Sequence, residues 1–364
     1  MLLPSFDLQD TFMNNIAVLG LGKVGALAAA LLHESGFVVK AYDQNSPAED
    51  FPFAVDAVDL GSDDSVKTVL AGVEAVLSCL PFQLNEAIAT AAHAAGIHYF
   101  DLTEDVATTN AILELSKTSK GLMAPQCGLA PGFAGIVGAS LISQFDSCRS
   151  CRMRVGALPQ NPTGLMGYAF NWSPAGVVNE YLNDCEVIED GERKWVSPME
   201  WHETIYIDGV KLEAFTTSGG LGTMCDTYLG RVENIDYKTM RYPGHMALMN
   251  FFFHELLMRE RREEAGDILI NAKPPVDDDV VYVHVAAEGV KNGNLGRKEF
   301  VRTYRPIVAA GKLSTAIAWT TSASVVAVIE MVRDGRLPNR GFLKQEEIPL
   351  ADFLKTTSGS LYTG

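Results

Sequence analysis

Positive charge is in short supply. Lysine and arginine number 29 against 45 aspartates and glutamates, for a net charge of −16. That balance argues against nucleic acid or an anionic membrane as a partner, and it is compatible with a cationic small molecule. Long clean apolar runs are also missing, so no stretch reads as a bilayer span. Met1 to Asn14 lacks a basic n-region and a long apolar core, so it does not read as a signal peptide. A cytoplasmic protein is expected. The six cysteines (Cys79, Cys127, Cys148, Cys151, Cys185 and Cys225) are scattered, which suits a reducing compartment. Cys148 and Cys151 form a CxxC with no second pair or histidine cluster at ligand spacing, so no metal centre is expected. No repeats or low-complexity linkers interrupt the chain.

What is present is an ordinary globular composition, 47% hydrophobic and 20% charged, in 364 residues. That is enough for two domains and a sizeable core. The chain is organised around Asn15 to Asp43. Ile16 to Leu19 reads as a buried strand, Gly20-Leu21-Gly22-Lys23-Val24-Gly25 as a glycine turn, and the Ala- and Leu-rich segment to Ser35 as a helix. Phe37 to Tyr42 is a second strand, with Asp43 at its end. Gly20 permits the tight turn, Gly22 lets the backbone approach a pyrophosphate, and Gly25 lets helix and strand pack closely. The helix N-terminus offers free N–H groups and partial positive charge to the phosphates. Asp43 suits two ribose hydroxyls and repels a 2′-phosphate. Gln44 and Asn45 follow it rather than arginine, so NAD is favoured over NADP.

Beyond Asp43 the alternation continues. Strands are expected at Phe53–Val58, Ala75–Leu80, His98–Leu102 and Leu122–Pro125, with helices at Asp63–Ala71, Asn85–Ala95, Val106–Lys117 and Gly132–Gln144. The fold class is therefore α/β, a Rossmann-type doubly wound parallel sheet over residues 1–130. Ligands in such sheets bind beyond the carboxyl ends of the strands. Cys79-Leu80-Pro81, Asp101 to Glu104, and Cys127-Gly128 fall there and should share one crevice. Residues 131–312 read as an α+β second domain with a mixed, largely antiparallel sheet. Its expected strands are Cys151–Val155, Thr204–Ile207, Val280–Ala286 and Glu299–Tyr304, with a helix Met246–Arg261. A long small-residue helix, Ser314–Val332, and a tail (residues 313–364) return to the first domain.

Arg241-Tyr242-Pro243-Gly244-His245 stands out as a chemical candidate. Arg241 offers a planar fork for a carboxylate, and His245 has a side chain suited to a general base. The structural alternative is that Arg241 pairs with an acid and His245 caps the helix it precedes. The loop holding Asn171, Trp172 and Ser173 is a substrate wall or a packing plug. Asp101 and Glu104 hold a cationic amine or complement a helix dipole.

Taken together, several strings carry a resemblance. They are GLGKVG at 20–25, Ser78-Cys79-Leu80-Pro81, His98 to Leu102, Gly128 to Gly132, Arg154 to Pro159, Asn171 to Pro174, and Arg241 to His245. In that order they resemble the saccharopine dehydrogenase family, most closely its lysine 6-dehydrogenases, over about Ile16 to Gly341. The resemblance implies a Rossmann domain, a second domain mediating a homodimer or homotetramer, and NAD(P)-linked chemistry at a C–N bond of an amino acid. For lysine 6-dehydrogenase this means hydride loss from the ε-carbon, imine hydrolysis, and cyclisation of the semialdehyde to 1-piperideine 6-carboxylate. Transferred here, Arg241 and Tyr242 hold the substrate and Asn171 to Ser173 shape the pocket. His245, or else Asp101 or Glu104, takes the proton. Cofactor contacts are expected from residues 20–25, Asp43, Cys79 to Pro81, Leu102 and Gly128. The alternatives are an NADPH-dependent reductase joining an amine to a carbonyl, of saccharopine or carboxynorspermidine type, and a non-catalytic NAD-binding regulator.

Overall fold

The structure is a computed structural model that describes residues 13–46 and 50–364. The expectation about the N-terminal segment falls almost wholly outside them. The first strand, β1 (Asn15–Leu19), is apolar and buried from Ile16 onward. Helix α1 (Lys23–Glu34) covers it, and β2 (Val38–Asp43), β3 (Ala54–Ala57), α2 (Asp63–Val69) and β4 (Ala75–Ser78) follow. The half is completed by α3 (Phe82–Ala95), β5 (His98–Asp101), α4 (Val106–Ser116) and β6 (Leu122–Ala124). Every pair is parallel, in the order β6-β5-β4-β1-β2-β3. The order reverses between β1 and β4, and that switch point is where such sheets open a ligand crevice.

The largely apolar α5 (Phe133–Ile142) leads into the second domain, built on the 13-residue strand β7 (Ser147–Pro159). There follow α6 (Pro174–Leu182), β8 (Cys185–Glu189), β9 (Glu192–Val196), β10 (Glu203–Ile207), β11 (Val210–Thr216) and α7 (Met224–Tyr228). Then come β12 (Asn234–Arg241), α8 (His245–Asn250), α9 (Arg262–Ala272), β13 (Asp279–Lys291) and β14 (Asn294–Tyr304). The sheet runs β10-β11-β12-β7-β13-β14, with β12 and β7 parallel and the other pairs antiparallel. Four hairpins turn on two residues with positive φ, at Asp190-Gly191, Asp208-Gly209, Asn292-Gly293 and Ala310-Gly311. This geometry matches the twist of the paired strands.

After the small hairpin β15 (Ile307–Ala309) and β16 (Lys312–Ser314), helix α10 (Ala316–Arg333) runs back to the first domain. It is long and apolar enough to cross a membrane, which the sequence reading had not expected, but 83% of it is buried inside the protein. Its Ser322 hydroxyl donates to the Val24 carbonyl of α1 at 2.8 Å. The tail then adds β17 (Gly341–Phe342) in parallel to β6, as a seventh strand of the first sheet, before α11 (Leu350–Phe353).

One expected element is broken. The helix predicted over Met246–Arg261 stops at Asn250, continues as a single π turn over Phe251–Glu255, and ends at Leu257, whose φ is +57°. A left-handed residue cannot continue the i→i−4 ladder, so α9 starts afresh at Arg262.

Candidate active site

The glycine turn has the geometry its sequence implied. Gly20 has φ +87°, and its N–H donates to the Tyr42 carbonyl at 2.8 Å. A Cβ on Gly25 would lie 1.9 Å from the Gly20 carbonyl oxygen, so α1 can seat against β1 only with glycine there. A Cβ on Gly22 would meet nothing within 4 Å. That open space borders the N-terminus of α1, which has no side-chain cap and no acid in its first turn. Among the described α-helices, α2, α4, α6 and α10 are capped by Ser62, Asp105, Ser173 and Thr315, while α1 and the rest have no side-chain cap. Free N–H groups facing open space fit a dinucleotide pyrophosphate. Asp43 accepts from the N–H groups of Leu21 (2.7 Å) and Asn45 (3.0 Å), which ties the turn to the end of β2. Lys23 turns away, to an exposed pair with Asp277.

Beside this corner, beyond the carboxyl ends of the parallel strands, a cleft of about 250 Å³ opens between the domains. Its Rossmann wall includes Val24, Cys79 to Phe82, Leu102 to Glu104, and Gly128 to Pro131. The opposite wall is formed by Val155, Ala157, Tyr237, Thr239 and Arg241 of the second sheet, with Trp172, Ser173 and Glu180 from around α6. Ile317 and Thr321 of α10 close it.

Arg241 ends β12 and is 3% exposed. Its Nε donates to the Tyr181 hydroxyl at 2.7 Å, and its Nη1 donates to the Met240 carbonyl at 2.9 Å and to Thr239. The guanidinium lies 4.7 Å from the Tyr168 ring centre and 5.7 Å from that of Tyr181. Nη2 is 4.0 Å from Glu180 Oε2, within ion-pair reach but beyond a hydrogen bond. One edge of the fork is thus held and the other is open.

One carboxyl stands opposite it, and a second lines the same cavity. Glu180 is buried, which pushes its pKa up to about 8 against the pull of Arg241. Glu104, in the loop after β5, is pushed up to about 7, again by burial first, although its own backbone N–H favours the carboxylate. A Cβ on Gly176 would come within 2.5 Å of Glu104 Oε1 and 2.6 Å of the Trp172 ring, so glycine in the first turn of α6 leaves room for both side chains as they stand. The charge of Glu104, in the same cavity, adds to the rise at Glu180, and the charges of Asp105 and Asp101 add to that at Glu104.

Four candidates fall elsewhere. His245 is 0% exposed and absent from the cleft lining. Its Nε2 is 3.0 Å from the Tyr181 hydroxyl and its Nδ1 is 3.1 Å from the Met166 carbonyl. Burial, and then the charge of Arg241, lower its pKa to about 3. The expectation of a base that reaches substrate is not met by this position. The Met166 carbonyl can only accept, so the neutral imidazole carries its proton on Nδ1 and its Nε2 accepts from the Tyr181 hydroxyl, which itself accepts from Arg241; the imidazole thus steadies the arginine from behind. Asp101, also wholly buried, is spent on the fold. It accepts from the Tyr99 hydroxyl (2.7 Å) and from the N–H groups of Thr103 (3.0 Å) and Gln126 (2.9 Å). Asn171 accepts from Val276 N–H at 2.7 Å and thereby anchors the loop whose Trp172 and Ser173 do reach the cleft. The Tyr242 hydroxyl donates to the Pro159 carbonyl at 2.9 Å, outside the cavity. Among the described residues no group of three or more histidine, cysteine or acidic side chains could hold a metal ion.

Two family profiles cover almost the whole chain. The saccharopine dehydrogenase NADP-binding domain matches residues 16–124, and the saccharopine dehydrogenase C-terminal domain matches residues 128–361. The chain belongs to the saccharopine dehydrogenase family. It is an NAD(P)-dependent amino-acid dehydrogenase by family, and its fold agrees with solved structures. Saccharopine dehydrogenase (L-Glu forming) from Saccharomyces cerevisiae is 17% identical with a TM-score of 0.73, over 94% of this chain and 96% of that one. DAP dehydrogenase from C. glutamicum, in complex with DAP, is 10% identical with a TM-score of 0.51, over 97% and 99%. An engineered D-amino acid dehydrogenase bound to NADP+ is 12% identical with a TM-score of 0.50, over 96% and 98%. Within this saccharopine dehydrogenase family member, the residue that sequence reasoning missed is Glu180. Nothing in the local pattern of α6 distinguishes it from a surface acid.

Proposed function

We propose that this protein oxidises the terminal amine of a diamino acid, L-lysine foremost, with NAD as the hydride acceptor, to an imine that water hydrolyses to the semialdehyde and ammonium. The observation that carries this is the charge pattern of the cleft. One guanidinium with an open edge and two carboxyls line a single cavity next to the glycine turn. A diamino acid offers the complement, one carboxylate and two ammonium groups.

Bound at the glycine turn, NAD supplies the hydride acceptor. The chain's own residues do the rest. Arg241, steadied by Tyr181 and Thr239, takes the substrate carboxylate on its Nη2 edge. An ammonium must lose a proton before its carbon can give up a hydride, and Glu104 on the Rossmann wall is the group placed to take it. With its pKa near 7, a sizeable fraction is ionised at neutral pH, and the transfer from an alkylammonium of ordinary pKa about 10.4 is less uphill than it would be to a carboxylate of ordinary pKa. Leu80, Pro81, Leu102 and Trp172 make the surrounding wall apolar, which keeps water from competing. Asp43 supports NAD over NADP, since its carboxylate would confront a 2′-phosphate. The exposed Tyr206 and Leu295 of the second sheet support a homodimer or homotetramer, whose mass light scattering reports.

The test is NADH formation, followed by absorbance, with each amino acid and diamine supplied in turn at mildly alkaline pH. Turnover with L-lysine that is lost in Arg241→Ala is the expected result. Silence with every amine overturns the reading. NADPH oxidation when an amine and a keto acid are supplied together would point instead to reductive joining.

A further inference from the structure

We propose that Glu180 and Arg241 form a two-point clamp for the head of an α-amino acid, Glu180 holding the α-ammonium while Arg241 holds the carboxylate. The proposal deepens the amino-acid reading of the cleft and rests on it. It assigns a separate anchor to each of the substrate's charges, and it leaves Glu104 free for the amine that reacts.

Glu180 sits one helical turn after Gly176 on α6, so both residues lie on the face turned to the cleft. It is 6% exposed, and among the described residues its carboxyl has one charged partner, Arg241, at 4.0 Å. Among the described residues no hydrogen bond fixes that carboxyl in place. A structural ion pair behaves differently. On the other face of the same sheet, Arg154 and Asp236 close to 2.6 Å. A buried carboxyl held just short of a buried arginine, with both aimed into one cavity, is arranged to receive a third party. An α-amino acid carries its carboxylate and ammonium on a single carbon. The groups that bind them must therefore lie side by side a few ångströms apart, as Glu180 and Arg241 do.

The titratable and charged groups around Glu180 are Arg241 and Tyr237 on β12, Tyr181 on α6, Tyr168 in the preceding loop, Glu104 after β5, and Cys185 on β8. Arg241 alone among them is positive, and it does not outweigh burial, so the empty site holds a proton on Glu180 at neutral pH. Arrival of an ammonium displaces it. The carboxylic acid and the alkylammonium become a carboxylate–ammonium pair, and one proton leaves to solvent.

L-Norleucine has the amino-acid head and a four-carbon chain but no terminal amine, and hexanoate lacks the α-amine as well. Titration calorimetry of both into the full-length protein, with and without NADH, separates the clamp from the terminal chemistry. We expect L-norleucine to bind about ten- to a hundredfold more tightly than hexanoate, the range for one charge-assisted hydrogen-bonded contact. Near pH 7 its binding heat should vary with the ionisation heat of the buffer, which reports the released proton. Glu180→Gln should abolish both the preference and the proton release, and leave hexanoate affinity within about twofold. Equal binding of the two ligands, binding of neither, or proton release that persists in the variant would overturn the clamp. If the variant does not fold, the wild-type comparison extended to 2-hydroxyhexanoate decides alone, because a hydroxyl cannot replace the ammonium. A clamp that holds while lysine is not oxidised refutes the proposed reaction only. Lysine oxidation without any preference for the head refutes the clamp only.

Discussion

Arg154 and Arg241 stand on adjacent parallel strands, β7 and β12, and both are nearly buried, at 2% and 3% exposure. They face opposite sides of the sheet and have opposite surroundings. Arg154 is saturated. Asp236 lies 2.6 Å away, Glu203 makes a second ion pair, and Nη1 donates to the Met153 carbonyl at 3.0 Å. Lys238 reinforces the set at 3.0 Å from Glu203. Arg241 has hydroxyls, a carbonyl and aromatic rings, but its one carboxylate neighbour stays at 4.0 Å. The acids record the same contrast. Burial pushes Glu203 up, yet Arg154 and Lys238 outweigh it and hold it below the usual carboxylate value. In the cleft, burial wins at Glu104 and Glu180. A charge matched within the protein belongs to the architecture; a charge left half-matched beside a cavity is available to a ligand.

The largest effect should come from breaking the saturated side. Arg154→Ala strands the largely buried Asp236, leaves the partly exposed Glu203 to Lys238 alone, and is expected to cost about 3 kcal/mol of folding stability, read by denaturant unfolding. Arg241→Ala should cost clearly less, because Glu180 already holds a proton and needs no counter-charge. If the two losses were equal, the division between structural and functional arginine would fail.

Next comes the cleft's own acid. Glu104→Gln should lower kcat/KM for amine oxidation by about 10²–10⁴-fold, the usual yield of a positioned general base. It should also remove the limb of the pH–rate profile that rises near pH 7. A variant that is slowed but keeps that limb would shift the proton-accepting role to another group.

A smaller effect separates the two sides by pH. Glu104 and Glu180 have folded values above the ordinary 4.5, so the folded chain binds more protons than the unfolded one between about 4.5 and 8. Their contribution to stability therefore falls as pH rises through that window. Glu203, held below its ordinary value, contributes stability that is present above about 4.5 and is lost as pH falls through its lowered value. Melting temperatures of the ligand-free protein should decline less steeply from about pH 5 to 8 in Glu104→Gln and Glu180→Gln. Glu203→Gln should leave that decline intact and flatten the acid side.

Much of the first domain was legible because its signals are local. The apolar runs of β1 and β4, the glycine turn and the helix stops at Gly36 and Gly96 each act within a few residues. The strand-end rule likewise brought Cys79, Leu102, Glu104 and Gly128 to one crevice. The second domain hid more. Strand β9 is mostly exposed and weakly alternating, although Asp190-Gly191 before it is a hairpin signal that could have been used. No glycine or proline marks the break at Leu257. His245 shares a motif with Arg241, but a motif does not say which side of a wall a ring occupies. Glu180 became visible only when α6 packed across the sheet and set it opposite Arg241. That is a tertiary fact with no local trace.

The same contrast between architecture and ligand site recurs in miniature within the glycine turn, where the expected effects are smallest. Gly25→Ala would put a methyl 1.9 Å from the Gly20 carbonyl oxygen and 3.0 Å from Cys79 Cβ. Backbone must then move, at a cost of about 1–3 kcal/mol in stability. Gly22 has φ −62° and ψ −178°, which alanine adopts freely, and its Cβ would meet no protein atom. Gly22→Ala should therefore unfold within about 0.5 kcal/mol of the parent. Its loss should appear in NAD affinity, measured by fluorescence titration with NADH, because the methyl fills the space through which a pyrophosphate reaches the N–H groups of α1. If Gly22→Ala bound NADH as tightly as the parent, the open space at α1 would not be the phosphate's place. The uncapped helix end would then be only an exposed helix end.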